Sequence, residues 1–493
     1  MFKWQRLFLF MSVIALIATA CSSDDGESDT EGTQPPETVT SIVEVPGETV
    51  TSIVEVEVPI TGESIKFWST ETQPERLAIT QGIIARFTAE TGIAVDLTST
   101  SEGDLPSLMQ NNAASGTLPD VVFHPVDFTV GWANQGLLDV DAANAVVESL
   151  GADTFAQGAV DLVTLNGTVA AVPSDGWGQL LIYRKDLFDA AGLAAPTTYE
   201  LIETAAAELH DPGNNFVGIT AATDGGQPFT QQTFEHFALA NGCQLVDDSG
   251  AVTLNSPNCV EAIDFFTRML GDYSVQGVQD VVTTRATYFA GQAAMIVWSP
   301  FIMDEMAGLR DSATPACDEC AADIAYLAKN SGFVPSFSGP SGAPAQYGQV
   351  SYMGIGTGAN VPAAQAFLEY WFNDGYVDWL STSPEGKFPM RRGTSAGSTE
   401  FIDGWKALET GVDRKAKLAD FYGDDIINQL VEGSSSFDRW GFNQGQGELV
   451  TAIYSSLPVP QAVRDVLDGS LSPEEAAEEM QLAVEEELEL LSE

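Results

Sequence analysis

Gly393-Thr-Ser-Ala-Gly397 has the GxSxG spacing of a hydrolase nucleophile elbow, which presents a serine on a sharp turn between a buried strand and a helix. The preceding Phe388-Pro-Met-Arg-Arg392 is polar and broken by proline, and the hydrolase order places the general-base histidine after the serine. All three histidines, His124, His210 and His236, come earlier. Gly354-Ile-Gly-Thr-Gly-Ala359 fits a dinucleotide fingerprint only loosely, and a strand-to-helix turn explains its glycines. With no Walker A loop, no HExxH and only scattered histidines, no cofactor and no metal are expected. Carboxylates are plentiful, so a glycoside hydrolase is the rival chemistry, yet nothing singles out a pair for it.

The five cysteines divide by place. Cys21 follows a positive start at Lys3 and Arg6, an apolar run Leu7 to Ile17, and the small residues Ala18-Thr-Ala20. That is a secretion signal over residues 1–21, and its apolar run is shorter than the roughly 20 residues a membrane-crossing helix needs. The placement of Cys21 resembles a bacterial lipobox, which implies lipid on its sulfur and amine. In an oxidising exterior Cys243 and Cys259, flanking a span centred on Asp247-Asp-Ser-Gly250, are expected to bridge across a hairpin. Cys317 and Cys320 form a CxxC without a second pair for zinc or a strand-then-helix setting for redox work, so a small loop disulfide is expected.

The chain of 493 residues, 44% hydrophobic, is long enough for two domains with real cores. Seventy acidic against twenty basic residues give a formal charge of -50, which repels phosphate backbones and excludes nucleic acid as a partner. Residues 22–63 are polar and contain a duplication, Glu37 to Val45 recurring at Glu48 to Val56, and read as a flexible spacer. From Ser64 strand and helix patterns alternate. Ile65 to Trp68, Ala94 to Leu97 and Asp120 to Phe123 read as strands, and Leu77 to Thr91 and Leu105 to Ala114 as helices. Repeated strand–helix units predict an α/β fold with a largely parallel sheet, its ligands gathered beyond the strand ends. At the far end Ser472-Pro-Glu-Glu475 is a capping box opening a helix with an apolar face of Ala477, Met480, Val484, Leu488 and Leu491.

Leu118-Pro-Asp-Val-Val-Phe-His-Pro-Val-Asp-Phe-Thr-Val-Gly-Trp-Ala-Asn-Gln-Gly-Leu-Leu138 resembles the sugar-type extracellular solute-binding proteins, the maltose-binding-protein-like family. Further matches follow in order: Phe87 to Val95, Leu181 to Phe188, Phe289 to Val297, Gly354 to Tyr370, Pro389 to Arg392 and Gly469 to Ala476. The resemblance implies two hinged α/β lobes closing over a solute, with residues 64–174 and 299–349 in one lobe and 175–298 and 350–493 in the other. It implies an extracytoplasmic, lipid-anchored monomer that captures a small carbohydrate for the permease of an ABC importer. A sensor's ligand-presenting partner would share this fold.

A sugar offers hydroxyls that want polar partners and flat C–H faces that want rings, so carboxylates and aromatics near strand ends are the candidates. Ser69, Thr70 and Glu71 follow the first strand at positions that line the cleft in the resembled family. Asp127 matches a family carboxylate that grips hydroxyls, and His124 stands where an aromatic ring meets ligand. Asp175 and Trp177 lie at the first crossing, Tyr183 and Phe301 match stacking rings, and Trp298 stands beside Phe301. Arg391 and Trp440 complete the expected ligand set. A core role competes for each of these rings, as does pairing with surface acids for the arginine.

Overall fold

The computed structural model describes residues 62–434 and 437–492. The leader, Cys21 and the spacer up to residue 61 lie outside the described residues. The first strand, β1 (Ser64–Ser69), turns Ile65 and Phe67 to one face, and both are buried. The helix Pro74–Thr91 follows, opened by proline in its first turn and stopped by Gly92, whose φ of 78° is a conformation glycine adopts without strain. It buries Ile83, Ile84 and Phe87 against the sheet, where Phe367 packs on Phe67, Phe87 and Trp371, and Phe67 on Trp371, at 5.2 to 5.4 Å between ring centroids. The same alternation gives β2 (Ala94–Ser99), the helix Leu105–Ser115, and β3 (Val121–Pro125), buried throughout and running straight into the helix Val126–Asn134.

The remaining strands are a small hairpin, β4 (Thr164–Leu165) and β5 (Thr168–Val169), then β6 (Val172–Gly178), β7 (Leu180–Arg184), β8 (Val217–Thr220), β9 (Ala293–Trp298), β10 (Ser331–Val334), β11 (Gly348–Ile355) and β12 (Phe388–Pro389). They form a six-stranded sheet in the order β12-β6-β11-β3-β1-β2 and a four-stranded sheet in the order β10-β7-β9-β8.

The expectation of largely parallel sheets is corrected. β1 is parallel to β2 and β3, and β8 to β9, but β11 runs antiparallel to β3 and β6, β12 to β6, and β7 to both β9 and β10. The reason is that the chain changes sheets without a helix. β6 passes through the buried Gln179 directly into β7, and β11 later returns between β3 and β6. A helical crossover within one sheet enforces parallel pairing, and a strand arriving from the other sheet escapes that constraint.

Strand membership also departs from the expected segments. β10, inside 299–349, belongs with β7 in the four-stranded sheet, while β11 and β12, inside 350–493 apart from the start of β11, join β1. The changes of sheet therefore fall at Gln179 and between β10 and β11, and the chain leaving β9 at Trp298 stays with the four-stranded sheet.

Cys243 is bonded to Cys259 around a turn in which Val246 pairs with Val252, and Cys317 to Cys320. The Ser472 backbone N–H donates to Glu475 at 2.8 Å and the Glu475 N–H to the Ser472 hydroxyl at 3.2 Å, opening the helix Pro473–Ser492. Its face buries Ala477, Met480 and Val484, while Leu491 remains exposed. The GxSxG segment is an exposed loop tied to itself by the Ser395 N–H donating to Ser398 Oγ at 3.0 Å.

Candidate functional site

A cavity of about 460 Å³ lies between the two sheets. From the six-stranded side it is walled by Thr70 and Glu71 after β1, Phe123 on β3, Asp175 and Trp177 on β6, Gln349 and Ser351 on β11, and Lys387 before β12. From the four-stranded side come Trp298 and Ser299 at the end of β9, Phe301, and Phe229 and Gln232 from the helix Pro228–Ala240. Two aromatic pairs face it edge to face, Trp177 with Phe301 at 6.3 Å between centroids and Trp298 with Phe229 at 4.8 Å. Gly386 is needed here: a Cβ on it would lie 2.1 Å from Phe301, so any larger residue would push that ring from its place.

Under the floor lies a buried charge cluster. Lys387 Nζ sits 2.9 Å from Glu71 and 3.6 Å from Asp175, and 4.0 Å above the ring of Trp379. Arg76 reaches Glu71 at 3.1 Å, and Trp379 Nε1 donates to Asp175 at 2.6 Å. Burial by itself would raise the Glu71 pKa, but the two cations overcome it and hold the carboxyl down at about 2. For Asp175 burial prevails over Lys387 and the pKa is raised. Glu102, in the loop after β2, also lines the cavity. Cleft solvent reaches its side chain, yet surrounding protein, with Asp127 and Glu71 adding repulsion, pushes its pKa up to about 7.

Of the candidates, Thr70, Glu71, Asp175, Trp177, Trp298 and Phe301 are brought together at the cavity. The other candidates are not. Ser69 is buried at the end of β1, its hydroxyl accepting from the Glu71 N–H at 3.2 Å. His124 is sealed against Trp132 and Tyr352, and burial lowers its pKa to about 4. Asp127 is consumed by Arg439, 2.6 Å away, and by the side-chain amide of Gln349. Tyr183 packs on Phe188 across the back of β7. Arg391 is a core residue, donating to the carbonyls of Phe372 at 2.7 Å and Leu150 at 3.0 Å between the rings of Phe155 and Phe401. Trp440 is fully buried and donates to the Cys243 carbonyl at 2.9 Å.

Lys387, Arg76, Arg285, Gln349 and Glu102 also line the cavity, and reading the sequence missed them. None sits in a motif, and the one usable signal was a lysine in a nearly apolar setting, Gly386-Lys-Phe-Pro389. Among the described residues no group of three or more His, Cys, Asp or Glu side chains is arranged to hold a metal ion, and no helix is long and apolar enough to cross a membrane. Chemically, the site offers carboxylates and amides to accept and donate hydrogen bonds, and ring faces to cover apolar surface.

A cavity walled by two sheets, between which the chain passes twice, defines a two-lobed ligand-binding protein. Residues 71–378 match the family of bacterial extracellular solute-binding proteins, and the chain belongs to that family. It is 27% identical over 405 residues to YcjN of Escherichia coli, which bears the name of an ABC transporter periplasmic-binding protein, covering 80% of this chain and 88% of that one. The GacH receptor of Streptomyces glaucescens superposes with a TM-score of 0.66 at 19% identity over 87% of this chain and 98% of its own. The cyclic alpha-maltosyl-1,6-maltose binding protein of Arthrobacter globiformis does so with a TM-score of 0.63 at 16% identity over 86% and 98%. These two likenesses establish the fold.

Proposed function

We propose that this protein captures a small carbohydrate or sugar-like solute in the cleft and passes it to the permease of an ABC importer. The observation that carries the reading is a cavity whose two walls come from different sheets and mix carboxylates with aromatic rings. A solute that touches both walls favours their closed arrangement, so binding shifts the lobes toward closure. GacH, of like fold, was solved with acarbose, and the Arthrobacter protein is named for a cyclic maltosyl sugar. The leader and Cys21 support secretion and a lipid anchor, with residues 22–63 as spacer to a monomeric body outside the cytoplasm. We further propose that it binds without turnover.

Titration calorimetry with a sugar panel tests this. The expected result is stoichiometric heat with the sugar recovered intact, together with compaction by small-angle scattering. Product accumulation would make the protein a hydrolase, and silence across the panel would remove the carbohydrate reading.

A further inference from the structure

Within the carbohydrate reading above, on which this rests, we infer that the cleft selects amine-bearing sugars over neutral and acidic ones, with Glu102 receiving the ammonium group. The cavity is lined by the carboxylates of Glu71, Glu102, Asp175 and Glu305 against the cations of Arg76, Arg285 and Lys387. Each cation is already engaged. Arg76 pairs with Glu71 at 3.1 Å, Arg285 with Glu305 at 2.7 Å, and Lys387 with Glu71 at 2.9 Å and Asp175 at 3.6 Å. No lining cation is therefore left for an acidic sugar, whose charge would meet a wall with one more carboxylate than cation.

Glu102 is the lining carboxylate that makes no ion pair and no side-chain hydrogen bond among the described residues, and it stands exposed to the cleft. A neutral sugar closed over it replaces its water with hydroxyl donors but brings no opposite charge to a carboxylate taken out of water. An ammonium supplies the opposite charge together with charge-assisted donors, which hold a carboxylate more strongly than neutral hydroxyls do. The raised pKa of this carboxyl, from surrounding protein and the repulsion of Asp127 and Glu71, agrees with a place that favours an added positive charge. Two further observations agree. The cavity is lined by aromatic side chains, Trp177 among them, of the kind that attract a cation, and the formal charge of -50 draws cations toward the whole molecule.

The test is calorimetry on the full chain at neutral pH with matched probes: glucose and glucosamine, galactose and galactosamine, cellobiose and its diamino counterpart, and glucuronate. We expect the amine of the best-binding pair to bind about tenfold tighter than its neutral partner, the worth of a charge-assisted hydrogen bond. Glu102→Gln should bring that ratio close to unity and Glu102→Asp should retain it, with thermal melting reporting that both variants fold. A wild-type ratio at or below unity overturns the inference whatever the variants do, as does glucuronate binding tightest or a ratio untouched by Glu102→Gln. Neutral sugars binding without amine preference removes this inference alone, whereas no binding by any probe removes the carbohydrate reading with it.

Discussion

Two clusters of buried charge, one bordering the cavity and one packed behind it, do different work. In the first, Lys387 and Arg76 hold Glu71 and Asp175 at the edge of the cavity. In the second, Arg439 is fully buried between Asp127, at the start of the helix after β3, and Glu235, 3.2 Å away on the helix after β8. Gln349 accepts from Arg439 at 2.9 Å and donates to Asp127, Tyr454 donates to Glu235 at 3.0 Å, and the guanidinium lies 4.6 Å from the Tyr347 ring centre. The ingredients are the same, acids with a cation over a ring. What separates them is that Glu71, Asp175, Arg76 and Lys387 of the first line the cavity, whereas Arg439, Asp127 and Glu235 of the second are enclosed by protein. Charge and aromatics alone do not make a binding site; an open side does.

The hardest blow to this contrast would come from Arg439→Met. It leaves Asp127 and Glu235 buried without their cation, and the expected loss is about 3–5 kcal/mol of unfolding free energy in urea denaturation. A loss near zero would put the hub on the same footing as a surface pair. Next in size is an acid effect of the cleft cluster. The Glu71 pKa is depressed in the fold to about 2, so its contribution is present above the unfolded value of 4.5 and is lost as pH falls from there toward 2. The size expected is about 3 kcal/mol. Denaturation curves across that window should show it, and Lys387→Met should flatten the slope. An unchanged slope would mean that Lys387 does not hold the carboxylate ionised. The smallest pair compares two tryptophans. Trp177→Ala should weaken binding of a panel sugar about tenfold. Trp440→Phe, which loses the hydrogen bond to Cys243, should cost about 1 kcal/mol of stability and leave affinity alone. Reversed outcomes would interchange the roles of cleft ring and core ring.

Much of the fold was legible because its cues are local. Short apolar runs gave β1 and β3, the helical period gave Pro74–Thr91, and the capping box at Ser472 needed only its own turn. Both cysteine pairs were readable from short separations, 16 and 3 residues. Sheet direction was not readable: strand–helix alternation describes each unit, while the antiparallel entry of β11 depends on a change of sheet that no local pattern records. For the cavity, positions read from the strand ends and the family resemblance included Glu71, Asp175, Trp177 and Phe301, which line it, while Asp127 and Arg391 do not, because their polar atoms are taken by other partners.

The sequence by itself determined the local elements, the acidic character, the disulfide pairs and the family to which the ordered motifs point. These rest on contacts between residues close along the chain, or on composition. Only the tertiary structure decided which charges face the cavity and which are neutralised. Arg439 lies 312 residues from Asp127, and Lys387 reaches Glu71 and Asp175 from a segment far along the chain. An ionic partner is chosen by proximity in space, and the folded sheets alone create that proximity.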